Sequence, residues 1–115
     1  MQKYQKLRNS SDFDSVKKYG TGSADFNLVM VAKDQAVAGE YKGSRLGFIV
    51  SKRIGGATVR NKYKRRLKES ANSIPIIDGK DIVFIARNGI LRSDFHGISS
   101  SMYKLLANAS LISTE

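Results

Sequence analysis

Between residues 59 and 74 the larger apolar side chains recur at a spacing that an α-helix gathers onto one side. At 100° per residue, with Val59 at 0°, Tyr63, Leu67, Ser70, Ala71 and Ile74 fall between about 20° and 120°. Such a seam must be covered by another layer, so the spacing predicts a helix packed on a sheet. The shoulder beside the seam is equally regular. Arg60, Lys64 and Lys68 fall near 100°, 140° and 180° as one row, with Asn61 and Arg65 just beyond at about 200° and 240°. Lys62 and Arg66 lie on the opposite shoulder. Like charges stacked at i, i+4 and i+8 cost an isolated helix a few tenths of a kcal/mol per pair, so a chain that keeps them is using them. Pro75 is expected to stop the helix.

The charge around this helix is more lopsided than a solvated face requires. Residues 51–68 hold Lys52, Arg53, Arg60, Lys62, Lys64, Arg65, Arg66 and Lys68, eight of the twenty cations, with no acid among them. A solubilising surface interleaves Glu with Lys, whereas this density is best tolerated against a polyanion. Nucleic acid is the first reading and an acidic membrane surface its main competitor. The net charge of +10 agrees with either.

One hundred and fifteen residues make one domain, 1–115, with residues 1–7 and 110–115 expected to be flexible termini. With 41% apolar residues, five Phe, five Tyr and a single Pro, the chain is globular rather than a disordered basic tail. The lack of Cys removes disulfides, thiol catalysis and most zinc sites. No run of 18 or more apolar residues occurs, and "MQKYQKLRNSSDF" lacks the apolar region of a signal peptide, so the expected location is cytoplasmic.

Other elements announce themselves along the chain. "NSSDFDSVKKYG" reads as a short helix: Ser10 or Ser11 as N-cap, Asp12 and Asp14 in the first turn, Lys17 and Lys18 in the last, Gly20 as the stop. "FNLVMVAK" and "RLGFIVS" read as antiparallel strands, and in the second Leu46, Phe48 and Val50 share a face. "DIVFIAR", entered through the turn "DGK", is a third strand, expected to be central. "SDFHGISSSMYKLLANAS" places Phe95, Ile98, Met102, Leu105, Leu106 and Ala109 at helical spacing after Ser93 as N-cap.

Chemistry by the chain alone finds little support. His96 is the single histidine and has no motif around it, so it reads as a surface or packing residue. Asp12 and Asp14 are taken up by a helix start, and Asp78 and Asp81 flank a turn, which leaves no metal cluster. Gly55 and Gly56, in "SKRIGGAT", suit a phosphate at a helix start, yet a sharp strand-to-helix turn explains them equally well.

Taken together, "RLGFIVSKRIGGATVRNKYKRRLKE", followed by "DIVFIAR" and preceded by "DFDSVKKYG", closely resembles the protein subunit of bacterial ribonuclease P over about residues 7–106. Arg60, Asn61, Lys64 and Arg65 hold the spacing of that family's basic helix; Gly56 stands where Asn is common, and Lys17 and Val31 stand where many members have aromatics. The resemblance implies an α+β fold: a single-domain α/β sandwich of order α-β-β-β-α-β-α. Its mixed four-stranded sheet would carry a left-handed β-α-β crossover like that of ribosomal protein S5 domain 2. The resemblance also implies a ribonucleoprotein that frees the 5′ end of precursor tRNA, in which the catalytic RNA and substrate hold Mg2+ and the protein assists. No obligate protein partner and no membrane are implied. Carried over by position, Lys52, Arg53, Arg60, Asn61, Lys64, Arg65 and Lys68 would contact RNA, and Phe13, Lys17, Phe48 and Val50 would line a cleft for the 5′ leader. For Phe13 and Phe48, packing in the core is an equally open role. A general RNA-binding or ribosomal-type protein is the alternative function.

Overall fold

The third apolar run builds the centre of the molecule. In the computed structural model, which describes residues 4–37 and 39–113, this run is strand β5 of a chain ordered β1 (Gln5–Lys6), α1 (Ser10–Tyr19), β2 (Thr21–Ala24), β3 (Leu28–Asp34), β4 (Arg45–Ile49), α2 (Ala57–Asn72), β5 (Lys80–Ala86) and α3 (Phe95–Asn108), with a 3-10 turn over Asn88–Arg92. The five strands form one mixed sheet, ordered β1-β4-β5-β3-β2. β5 runs parallel to β4, from Arg45↔Asp81 to Ile49↔Ile85, and antiparallel to β3, from Leu28↔Ala86 to Asp34↔Lys80. Gly79 supplies the left-handed backbone, φ 88°, of the turn into β5.

β5 is apolar without alternation because both of its faces are covered. Ile82 and Phe84 join Leu28, Met30 and Leu46 in a core closed by Tyr63, Leu67 and Ala71 of α2 and by Ile98, Met102, Leu105 and Leu106 of α3. On the other face Val83 meets Val31, Leu7 and Val16 of α1. The larger layer is thus α2 with α3, joined also by Ser70 Oγ and Ser99 Oγ at 2.7 Å. The smaller layer is α1 alone.

Several expectations are corrected. The runs that became β3 and β4 are antiparallel, yet they do not pair, because β5 lies between them. The sheet has five strands rather than four: residues 5–6, expected to be loose, add a short parallel strand beside β4. Tyr4 and Leu7 are buried around it. At the other end Leu111 is buried, Ile112 bridges to Ile76 and the Ser113 amide donates to Pro75 O, so residues 111–113 are packed too. Residues 1–3 and 114–115 lie outside the described residues.

Helix boundaries shift for local reasons. α1 begins after Asn9, which has extended backbone and no side-chain cap, while Ser10 and Ser11 lie inside the helix. Gly20 ends α1 through lack of space rather than through its φ of −80°: a Cβ there would lie 2.5 Å from Val16 O and 2.7 Å from Val31 Cγ1. Asp94, not Ser93, caps α3 by accepting the Gly97 amide at 2.8 Å. Ser93 instead donates its hydroxyl to Asn27 Oδ1 at 2.7 Å. In α2 the seam is buried from Tyr63 onward, but Val59 remains 36% exposed in the first turn, over Gly55.

Candidate nucleic-acid interface

The α2 seam pulls Tyr63 and Leu67 into the core, and that rotation sets where every cation of the helix points. Arg60, Lys64 and Lys68 are half-buried along one shoulder, with Asn61 and Arg65 exposed beyond them. On the other shoulder Lys62 Nζ and Arg66 Cζ lie 5.7 and 5.5 Å from the Tyr63 ring, so their charge is partly engaged by its π face. Lys52 and Arg53 are exposed in the connection that precedes α2. Among the described residues no ion pair reaches Lys52, Arg53, Arg60, Lys64, Arg65 or Lys68. The Arg60 Nε is buried and donates to nothing. The row is therefore positive charge without an internal counter-charge.

Beside the row, α1 and the edge of β4 enclose an open cleft of about 360 Å³. Phe13, Lys17, Phe48 and Val50 all line it, together with Arg8, Ile49 and Lys64. Phe13 rests on Gly47, where a Cβ would lie 2.4 Å from its ring, so this glycine lets an aromatic lie directly on the strand. Phe48 is half-buried and packs against Phe84 at 6.0 Å between centroids and Tyr4 at 6.2 Å, while Val50 is buried in the α2-side core. Only part of either side chain thus faces the cleft. Lys17 is exposed and 3.9 Å from Asp14. A smaller hollow of about 160 Å³ continues over Lys6 and Lys68, sharing Phe13, Phe48 and Lys64 with the cleft. Lys64 therefore belongs both to the cationic row and to the cleft.

Arg53 is not in that cleft. It borders a separate hollow of about 480 Å³ with Phe26, Ile85 and Arg87. Phe26 is 61% exposed and lies against Gly89, where a Cβ would come within 2.3 Å of Phe26 O. The Arg87 guanidinium is fixed by donating to Asp25 O at 2.8 Å. The Asp25 carboxylate is pushed up by partial burial, but the Ser101 hydroxyl and the amides of Leu28 and Asn27 outweigh this and hold its pKa below the usual carboxylate value. Lys6, Arg8, Ile49, Phe26 and Arg87 were not singled out from the sequence. Residues 6 and 8 lie in a stretch with no local strand signal, and the others depend on which ends of β3, β4 and β5 the sheet brings together.

The arrangement offers unpaired cations for phosphates and a cleft with aromatic edges for unpaired bases. Comparison with known proteins gives it a lineage. The family model described as Ribonuclease P matches residues 1–110. The ribonuclease P protein component of Thermoanaerobacter sp. (strain X514) is 36% identical over 108 residues, 92% of this chain and 90% of that protein. That of Alkaliphilus metalliredigens is 36% identical over 115 residues, 98% of this chain and 100% of its own. The solved structure of the Staphylococcus aureus RNase P protein aligns with a TM-score of 0.82 at 28% identity, covering 96% of this chain and 100% of its own. The RNase P protein of Thermotoga maritima aligns with a TM-score of 0.76 at 30% identity, covering 90% of this chain and 96% of its own. Sequence, fold and the unpaired basic row agree: the chain belongs to the ribonuclease P protein family.

Proposed function

We propose that this chain, as the protein component of ribonuclease P, helps the ribonuclease P RNA remove the 5′ leader of precursor tRNA by hydrolysis. Lys52, Arg53, Arg60, Asn61, Lys64, Arg65 and Lys68 neutralise phosphates of the catalytic RNA. Phe13, Lys17, Phe48 and Val50 receive the unpaired leader. The observation that carries this reading is the continuity of the two surfaces through Lys64, which lines the cleft while standing in the α2 row. A chain docked by that row presents its cleft where substrate enters. Leader contacts then favour precursor over mature tRNA, so product leaves.

The chain supplies no reacting group in this scheme and is inactive alone. Among the described residues no three His, Cys, Asp or Glu side chains cluster where they could hold a metal ion. The Mg2+ is assigned to the RNA and substrate, and no step is routed through the protein. No helix among the described residues is long and apolar enough to cross a membrane. We place the work of the complex in the cytoplasm.

The test is reconstitution with a bacterial ribonuclease P RNA at low magnesium, following 5′ cleavage of precursor tRNA with and without the chain. Faster cleavage with the chain, and none by the RNA-free protein, is expected. A chain that binds the RNA yet leaves cleavage unchanged is a general RNA binder, and the proposal fails.

A further inference from the structure

The strongest polar contact between α1 and the sheet lies outside the cleft. Arg45 of β4 donates from Nε and Nη2 to the two carboxylate oxygens of its cross-strand partner Asp81, at 2.9 and 2.7 Å. The Asp81 side chain is 2% exposed, and this forked pair satisfies both of its oxygens. The remaining arm, Nη1, reaches Asp12 Oδ2 on α1 at 3.3 Å, and the Tyr41 ring lies 4.0 Å beneath the guanidinium. Lys33 Nζ adds a looser contact to Asp81 at 4.0 Å. Among the described residues, Asp12 to Arg45 is the one ion pair that ties α1 to the sheet.

Its place in the chain matters more than its strength. Asp12 immediately precedes Phe13, and Gly47, which receives the Phe13 ring, lies two residues along β4 from Arg45 on the same face. One turn further along α1 is Lys17. We infer that Asp12 and Arg45 are positioning residues: the bridge sets how α1 lies on β4, and so fixes the cleft wall made by Phe13 and Lys17 at the width an unpaired nucleotide strand needs. This rests on the reading of the cleft as the leader site. Asp12 itself need not touch RNA.

Asp12→Asn removes the α1 half of the bridge while leaving the buried Arg45–Asp81 pair intact, so the fold is retained. Asp12→Glu restores the charge, and Asp34→Asn, which loses an exposed ion pair with Lys80 outside the cleft, is the control. Each variant is reconstituted with the catalytic RNA and assayed on one precursor tRNA with its full leader and with the leader trimmed to its last nucleotide. For Asp12→Asn, KM on the full-leader substrate is expected to rise about fivefold. Its kcat, its KM on the trimmed substrate and its affinity for the catalytic RNA stay unchanged. Asp12→Glu recovers most of the loss, and Asp34→Asn shows none of it. An equal loss on both substrates, or no loss on either, overturns the positioning role. If the unsubstituted protein does not distinguish the two substrates, the leader-site reading itself fails, and that outcome is separable because it precedes any substitution.

Discussion

Single side chains carry the sharpest expectations. Arg60 stands in the α2 row with a buried, unpartnered Nε and, among the described residues, no ion pair. Arg60→Ala is expected to weaken binding to the catalytic RNA and to lower the slope of log affinity against log salt by about 0.7 to 0.9 if one phosphate contact is lost. Titration at several salt concentrations reads both; an unchanged slope removes Arg60 from the contact set. Gly56 behaves differently from its neighbour. It is the N-cap of α2 in extended backbone, φ −69°, and a Cβ there meets nothing within 4 Å. Gly56→Asn is therefore expected to stabilise the fold by a few tenths of a kcal/mol, by capping α2 and by ordering the unfolded chain less freely. Thermal unfolding measures it. At Gly55 a Cβ would crowd Val59 at 2.9 Å, so glycine is required at only one of the two positions.

At the scale of elements, what was legible in the sequence follows the strength of local signals. The α2 seam was readable because Tyr63, Leu67, Ser70 and Ala71 recur at helical spacing, and those four are its buried residues. The end of α1 at Gly20 and the turn at Gly79 were readable from glycine alone. β2 was not, since "TGSA" is exposed throughout, lacks bulky strand formers and is held only by pairing with β3. The same limit hid β1, whose two residues are a strand only because β4 lies beside them. The cap of α3 was misassigned by one residue because Ser93 is drawn into a tertiary contact with Asn27. That contact belongs to a polar hub in which Asn27 Nδ2 also donates to Ser101 Oγ at 2.7 Å and the Asp25 carboxylate accepts the amides of Asn27 and Leu28. Folding lowers the Asp25 pKa below 3.8, so its charge stabilises the fold above that value, and the contribution fades as pH falls through the lower, folded value. Asp25→Asn keeps an acceptor for the two amides but does not titrate, so its stability is expected to fall less steeply below about pH 4 than that of the unsubstituted chain. Acid unfolding followed by circular dichroism decides this.

For the molecule as a whole, the core places the function. Leu67 is fully buried between α2 and the sheet, and the row of Arg60, Lys64 and Lys68 faces outward because Leu67 faces inward. Leu67→Ala should cost about 2 to 5 kcal/mol in denaturant unfolding, with RNA affinity lost in step. The candidate site was legible to the same extent as the fold: the helix row came from periodicity, and the cleft residues came from resemblance. The union of the two surfaces at Lys64 required the tertiary structure, since Phe13, Phe48 and Lys64 meet only when α1 and α2 are docked against β4 from their separate layers.

The central place of β5 also has a meaning in time. β3 and β4 are made early in synthesis but share no edge, and the strand that joins them begins only at Lys80. Until it emerges from the ribosome, the sheet can form only as two separate marginal pieces, the β2–β3 hairpin and the two-residue β1–β4 pair, with the densest stretch of positive charge already made and unsupported by a core. The order of translation thus makes this a late, all-at-once folder, and its basic helix is available to any nearby RNA before the chain is a protein in the structural sense. A fragment ending at residue 79 is expected to show no protected sheet amides by hydrogen exchange.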